Sequence, residues 1–212
     1  YADEKGYDFD YGMYSTLAAR HGGAIVAPHL TTLRGVNLEL HDSGTLAYAQ
    51  IQSFTGGRLA ITGGVRWPFS SLQDATDTDI TVNQTRAEFP ALTTLKHGAL
   101  TLSGGAAMDV PELRDIDGAS LRAHAGTVIR VPLATSYDHA GTGNSQHRYL
   151  RAEGVGAEID LSGVTAVRGG TFYNNRLFIE ALSGGQVKLP GATSLSDGTG
   201  GDTNYRSIDV VA

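Results

Sequence analysis

The chain repeats a short phrase at intervals of 21 residues, and this period constrains its fold more strongly than any other feature. The phrase PALTTL at residues 90–95 returns as PELRDI at 111–116 and as PLATSY at 132–137. Related phrases stand at 28–33 (PHLTTL) and at 190–195 (PGATSL). A unit of this length buries its apolar face only by stacking against its neighbours. The sequence therefore predicts a stacked repeat architecture.

Each repeat also carries two apolar residues separated by one position. The pairs are Leu17/Ala19, Leu38/Leu40, Leu59/Ile61, Ile80/Val82, Leu100/Leu102, Leu121/Ala123, Leu150/Ala152, Ile179/Ala181 and Ile208/Val210. In several repeats a third apolar residue follows eight positions after the first of the pair: Ile25, Leu46, Trp67, Met108, Ile129 and Val187. Alternation with period two predicts very short strands, and the Gly, Pro, Asn, Asp and Ser residues between them predict corners. Since helical periodicity is nowhere sustained, we expect an all-β fold with these apolar columns, Trp67 included, in its core.

Three short strands and three corners in each repeat predict a parallel β-solenoid, also called a β-helix. Its coils have about 21 residues and number roughly eight to nine, partial ends included. Right-handed coils are expected, because parallel crossovers usually take that hand. We expect residues 1–212 to form a single solenoid domain within a larger repeat protein. Both termini stop inside the repeat pattern, so flanking domains or other copies are expected to cap the open ends.

Charge and composition exclude several classes of function. The chain has 16 basic and 22 acidic side chains, a net charge of −6, which argues against binding nucleic acid. No apolar run reaches the roughly 18 residues of a membrane span, so none is expected. The chain has no cysteine, which excludes disulfides and cysteine-ligated metal sites.

The repeat is interrupted at one corner in its last three units, at residues 132–212. In earlier units five positions separate the end of the phrase from the next apolar pair, as from Leu95 to Leu100. The separation grows to 12 or 13 positions from Tyr137 to Leu150, from Val167 to Ile179 and from Leu195 to Ile208. Insertions at one corner of consecutive coils project side by side and often form a binding face. The segment 7–14 has the same phase and is expected to form a comparable loop.

The three insertions, residues 138–149, 168–176 and 197–206, are rich in aromatic, amide, carboxylate and arginine side chains. Aromatic rings can stack on sugar CH faces, amides and carboxylates can bind hydroxyls, and arginine can bind uronate or sulfate groups. We call the surface of these three segments the insertion face. The predicted ligand-binding residues on it are Asp138, His139, Asn144, His147, Arg148, Tyr149, Phe172, Tyr173, Asn174, Asn175, Arg176, Asp197, Asp202, Asn204, Tyr205 and Arg206.

One corner outside the insertion face is a candidate calcium site. Asp74, Asp77 and Asp79 place three carboxylates close together, and Ca²⁺ prefers such hard oxygen ligands. The segment lacks the glycine and the distal glutamate of an EF-hand loop, and a solvated acidic corner is the competing interpretation. No other cofactor is predicted.

Three later phrases, LRAEGVGAEIDLS at 150–162, FIEALSGGQV at 178–187 and YRSIDV at 205–210, resemble the parallel β-helix repeat arrays of large bacterial extracellular and surface proteins. The resemblance extends over nearly the whole chain from Tyr14. It implies a β-solenoid that is secreted or displayed on the cell surface, near anchors or polysaccharide-acting modules. It brings no catalytic motif with it.

Three functions of different classes are compatible with these patterns. The first is a non-catalytic glycan-binding or adhesive module, with a polysaccharide or cell-surface glycan as its partner and no catalytic residue. The second is a passive spacer or scaffold of a surface protein. The third is a polysaccharide lyase, which requires a base beside a carboxylate-neutralising group or Ca²⁺, or a polysaccharide hydrolase, which requires paired carboxylates across the scissile bond. We favour the first hypothesis, because the insertions combine aromatic and polar groups on one face.

Overall fold

The computed structural model describes residues 15–41, 44–63 and 66–212, and within them all regular structure is β-strand. Accordingly, these residues contain no helix that is long and apolar enough to cross a membrane. The expected loop at 7–14 lies outside the described residues. In chain order the strands are β1 (Ser15–Ala18), β2 (Ala24–Ile25), β3 (Thr32–Arg34), β4 (Val36–Leu40), β5 (Thr45–Leu46), β6 (Ser53–Thr55), β7 (Arg58–Thr62), β8 (Arg66–Pro68), β9 (Asp79–Asn83), β10 (Arg86–Glu88), β11 (Ala99–Ser103), β12 (Ala107–Asp109), β13 (Ser120–His124), β14 (Val128–Arg130), β15 (Ser136–Asp138), β16 (His147–Glu153), β17 (Glu158–Asp160), β18 (Ala166–Arg168), β19 (Arg176–Leu182), β20 (Gln186–Lys188), β21 (Ser194–Ser196) and β22 (Ser207–Val211).

The strands form one large parallel sheet and several small ones. The large sheet has nine strands in the order β1-β4-β7-β9-β11-β13-β16-β19-β22. The second strand of the repeats forms the sheets β2-β5, β8-β10-β12 and β14-β17-β20, and the third forms β3-β6 and β15-β18-β21. At the third strand position of the repeats after β6, single β-bridges join Ser53 to Asp74, Asp74 to Thr94 and Thr94 to Asp115. Because the strands pair in parallel with the equivalent strand of a neighbouring repeat, the arrangement is consistent with a parallel β-helix.

The apolar ladder predicted from the sequence is confirmed from β1 to β19. Leu17 lies opposite Leu38, and the row continues through Leu59, Ile80, Leu100, Leu121, Leu150 and Ile179. The row belongs to one core, which also contains a group of aromatic side chains. In this group Phe69 stacks on Phe89 with ring centroids 4.8 Å apart, and Tyr48 packs against Phe69 with ring centroids 4.7 Å apart. Trp67 is buried, as expected.

The predicted register is wrong for the last strand, β22. Ile208 lies opposite Leu177, and Val210 takes the place opposite Ile179 that was predicted for Ile208. The reason is that β16 and β19 each gain residues at their N-terminal ends and reach seven residues in length. The pair Ile208/Val210 therefore aligns with the first apolar residues of a longer strand. Asp209 consequently lies beside Phe178, one row away from the Arg122–Arg151–Glu180 row.

A left-handed residue precedes each strand of the large sheet from β7 onward. It stands two positions before the strand begins, with φ between 54° and 65°, at Gly56, Asp77, His97, Gly118, Ser145, Asn174 and Tyr205. At five of these positions the backbone N–H donates to a carbonyl of the next repeat, as from Asp77 to Lys96 O at 2.8 Å and from His97 to Asp117 O at 2.8 Å. The same bond joins Ser145 to Tyr173 O at 2.7 Å in the wide repeats. This corner sets where each strand starts, and the insertions enter the chain just ahead of it.

Candidate functional site

The three insertions lie side by side, as the sequence predicted, and are joined by hydrogen bonds. Ser145 N donates to Tyr173 O at 2.7 Å, and Asn174 N donates to Asn204 O at 2.9 Å. Thr171 Oγ1 donates to Ala140 O at 3.0 Å. The insertion face is therefore one continuous surface rather than three independent loops.

Aromatic side chains stand out from this surface. Phe172 is 41% exposed, Tyr173 39% and Tyr205 74%, although large apolar groups are normally buried. Tyr173 and Tyr205 come from neighbouring insertions and meet edge to face, with ring centroids 5.6 Å apart and planes at 81°. Both rings remain partly exposed, and an exposed aromatic ring can stack on the CH face of a sugar.

Tyr205 occupies an unusual backbone conformation for a bulky residue. It is the left-handed residue of its corner, with φ of 58°, where the equivalent residues are Ser145 and Asn174. A left-handed conformation costs a tyrosine roughly 1 kcal/mol or more, and such strain concentrates at functional sites. The strained turn presents the most exposed ring of the insertion face.

A second aromatic group continues the insertion face onto the outer side of the large sheet. Tyr149 and Phe178 lie stacked, with centroids 4.9 Å apart and planes at 12°. The guanidinium groups of Arg122 and Arg176 cap the two rings, 4.3 Å from the Tyr149 centroid and 4.7 Å from that of Phe178. The rings of Phe178 and His147 meet edge to face, with centroids 6.1 Å apart. Phe178 and Arg122 were not among the predicted residues, although strand alternation places both on the outer side.

Burial removes three of the predicted residues from any surface ligand. His139 and Asn175 are fully buried and Arg148 is 3% exposed. The amide of Asn175 joins the first two insertions, since its Oδ1 accepts from Gln146 N and its Nδ2 donates to Thr142 Oγ1, both at 3.2 Å. These side chains shape the insertions from inside and do not line the solvent side of the insertion face.

Arg148 fills the corner where the first wide repeat begins. Its guanidinium donates to the carbonyl of Gly118, to His147 O at 3.2 Å and to His97 O at 3.5 Å. Gly118 and His97 are left-handed residues of the two preceding repeats. The buried arginine thus satisfies carbonyl groups at the point where the 21-residue corner gives way to a longer one.

His139 lies in the same interior region and has no hydrogen-bond partner on either ring nitrogen. Burial, and secondarily the positive charge of Arg148, lowers the pKa of His139 to about 3. Burial likewise lowers the pKa of His97. The interior of the wide corner therefore holds neutral histidines next to a permanent cation.

The other two predicted arginines, Arg176 and Arg206, are bound by groups of the protein, and the side chain of Arg206 is only 4% exposed. Arg176 binds Asp209 at 2.8 Å and Ser207 at 3.1 Å. Arg206 donates to Gly200 O at 2.6 Å and to Gly198 O, and its Nε lies 3.5 Å from Asp197. The third insertion is therefore closed around its own arginine.

Some of the other polar side chains of the insertion face make hydrogen bonds within turns, and some are exposed to solvent. Asp138 Oδ1 accepts from Ala140 N at 2.7 Å, and its Oδ2 lies 3.7 Å from Arg168. Asp202 Oδ1 accepts from the backbone and side-chain nitrogens of Asn204, at 2.9 and 2.8 Å. Asn144, Asp202 and Asn204 are exposed beside the aromatic side chains.

The three aspartates of the calcium candidate do not form a cation site. Asp74 Oδ1 accepts from Thr76 N and Thr76 Oγ1, at 2.9 and 2.7 Å, and so closes a local turn. Asp77 is the left-handed corner residue, 3.7 Å from His97 Nδ1, whereas Asp79 begins β9. Within residues 15–41, 44–63 and 66–212, no three His, Asp or Glu side chains are placed to hold a metal ion.

No family model, no curated protein and no solved structure was found to match this chain, so the function has to be argued from the geometry above.

Proposed function

We propose that this chain is a non-catalytic glycan-binding or adhesive module, built as a right-handed parallel β-helix of about 21-residue coils and displayed outside the cell. Its partner is a polysaccharide or a cell-surface glycan, and its binding surface is the insertion face. The bacterial extracellular setting rests on the resemblance of the repeats alone.

The observation that supports this proposal is the exposure of Phe172, Tyr173 and Tyr205 on hydrogen-bonded neighbouring insertions. Exposed apolar groups that cluster on one surface, unlike single exposed residues, mark an interaction site. The exposed amides of Asn144 and Asn204 lie on the same surface and can bind hydroxyl groups. Burial of His139 and Arg148 removes two candidate bases from a substrate's reach, so binding is favoured over catalysis.

The test is a glycan array followed by titration calorimetry on the glycans retained. The parent chain is compared with Tyr173→Ala and Tyr205→Ala, which each remove one ring of the perpendicular pair. Stacking on an aromatic ring contributes about 1 kcal/mol, so each substitution should weaken binding about fivefold or more. Val155→Ala is the matched control, since Val155 is 81% exposed in a turn of another corner.

Unchanged affinity in both tyrosine variants would place the ligand on another surface. An array without any retained glycan would favour the spacer hypothesis, and release of new reducing ends or unsaturated sugars would favour the enzyme hypothesis.

A further inference from the structure

We infer that the glycan bound by the insertion face is uncharged, and this inference rests on the proposed function. The composition of the insertions predicts an acidic glycan, because Arg148, Arg176 and Arg206 could bind uronate or sulfate groups. The contacts that these arginines make in the structure favour a neutral glycan instead.

Within residues 132–212 each basic side chain already has a partner. Carboxylates pair with Arg151, Arg168, Arg176, Lys188 and Arg206, through Glu180, Asp138, Asp209, Glu158 and Asp197 respectively. Arg148 is buried and donates to backbone carbonyls. An anionic ligand that bound one of the five paired side chains would therefore have to compete with a carboxylate of the protein.

The fixed charge of this region is also unfavourable to anions. Residues 132–212 contain 8 acidic and 6 basic side chains, so 8 − 6 leaves a net charge of −2 with neutral histidines. After the ion pairs are counted, Asp202 remains on the insertion face as an exposed carboxylate that accepts only from Asn204. It lies three residues from Tyr205, so an acidic sugar at that ring would approach a like charge.

The side chains that the insertion face exposes to solvent are of the types that bind a neutral sugar. The rings of Phe172, Tyr173 and Tyr205 supply stacking surfaces. Asn144, Asn204 and the carboxylate of Asp202 supply donors and acceptors for hydroxyl groups. None of these contacts requires an ion pair to open.

The experiment measures affinity electrophoresis in gels that contain polysaccharides matched in backbone and different in charge. Suitable pairs are hydroxyethyl- and carboxymethyl-cellulose, highly methyl-esterified and de-esterified pectin, and dextran and dextran sulfate. We expect the neutral member of at least one pair to retard the protein, with a dissociation constant at least about fivefold lower than that of the acidic member. Binding of the neutral member should change little between low and high salt.

Asp202→Asn tests the charge directly, because the new amide keeps the oxygen that accepts from Asn204. In this variant the acidic member should bind more tightly, so that the difference in affinity between the neutral and the acidic member becomes smaller. Tighter binding of the acidic members by the parent chain, weakened by salt, would overturn this inference and leave the proposed function intact. If no polysaccharide retards the protein and the array is also blank, both the proposed function and this inference fail.

Discussion

Tyr205 combines a strained backbone with an exposed ring, and the two properties can be separated by substitution. Its φ of 58° is easy for asparagine, which occupies the equivalent position at Asn174. Alanine gains no such local support from its side chain in the left-handed region. Asparagine and alanine both remove the ring.

We therefore predict that Tyr205→Asn is more stable than Tyr205→Ala by about 0.5–1 kcal/mol, whereas both lose glycan affinity to the same extent. Urea unfolding gives the stability difference, and calorimetry gives the affinities. Equal stability of the two variants would show that the left-handed turn carries no strain worth relieving.

His139 makes stability depend on pH. Its pKa is about 3 in the folded protein and about 6.5 when unfolded, so the unfolded chain binds an additional proton between these values. The free energy of unfolding should therefore be highest above pH 6.5 and fall as the pH falls through this window. The expected loss between pH 6.5 and 5 is on the order of 2 kcal/mol.

Replacing His139 by leucine should flatten this dependence, measured by urea unfolding at several pH values. The substitution should cost little at pH 7.5, because neither ring nitrogen has a partner to lose. His29→Gln, at an exposed position, is the control and should keep the slope of the parent. A slope that persists in His139→Leu would assign the pH dependence to other groups.

At the scale of elements, the corner ahead of the large sheet leaves little room for larger side chains. The backbone of one repeat there passes very close to the next. A Cβ atom on Gly98 would lie 2.3 Å from Thr78 O and 3.0 Å from Thr78 N, both backbone atoms held by hydrogen bonds. A methyl group at this position forces neighbouring repeats apart.

We predict that Gly98→Ala lowers the free energy of unfolding by about 3 kcal/mol or more, a value typical of overpacking in a core. Gly200→Ala is the matched control, because a Cβ atom there meets nothing within 4 Å, and it should be close to neutral. Thermal and urea unfolding of both variants provide the comparison. A mild effect at Gly98 would mean that the corner can widen.

The sequence predicted elements well wherever one repeat dictates the next. The ladder from Leu17 to Ile179 follows from period-two alternation combined with the 21-residue period. The register of β22 was missed because Ile208 and Val210 satisfy the same alternation after a shift of two residues, and alternation cannot distinguish the two alignments.

The candidate site was predictable in position but not in the direction of each side chain. The location of the three insertions follows from the break in the period. Whether His139 and Arg148 point inward depends on how the wide corner packs, and loop residues carry no periodicity that would reveal it. Phe178 could have been found from its position between Leu177 and Ile179, which are both buried.

At the scale of the whole molecule, β22 leaves one side of the large sheet open. It is the last strand in the sheet order, and two of its own apolar side chains are exposed, Val210 at 61% and Val211 at 46%. Leu195, in the last strand of a smaller sheet, is 53% exposed. An edge strand with apolar side chains readily pairs with another chain. Capping of this edge by a flanking domain or by another copy stays a prediction.

We predict that the isolated chain self-associates through this edge, with an average mass in light scattering that rises with concentration. Val210→Lys should reduce the association, because an edge lysine opposes strand pairing. Val155→Lys makes the same chemical change at a turn of another corner, where Val155 is 81% exposed, and should leave it unchanged. Self-association through this edge would be contradicted if the parent chain stays monomeric or if both variants have the same effect.

The pairing of every strand with its counterpart one repeat away determines how the molecule responds to mechanical load. Tension along the stacking direction acts along the inter-strand hydrogen bonds, because these bonds run from one repeat to the next. The outermost repeat therefore detaches before the next repeat is disturbed. Each repeat of 21 residues, such as that from Leu17 to Leu38, releases about 70 Å of contour length. A wide repeat of 29 residues, from Leu121 to Leu150, releases about 100 Å. Under tension such a chain lengthens in successive steps, and it keeps its two ends connected while it dissipates the work done on it.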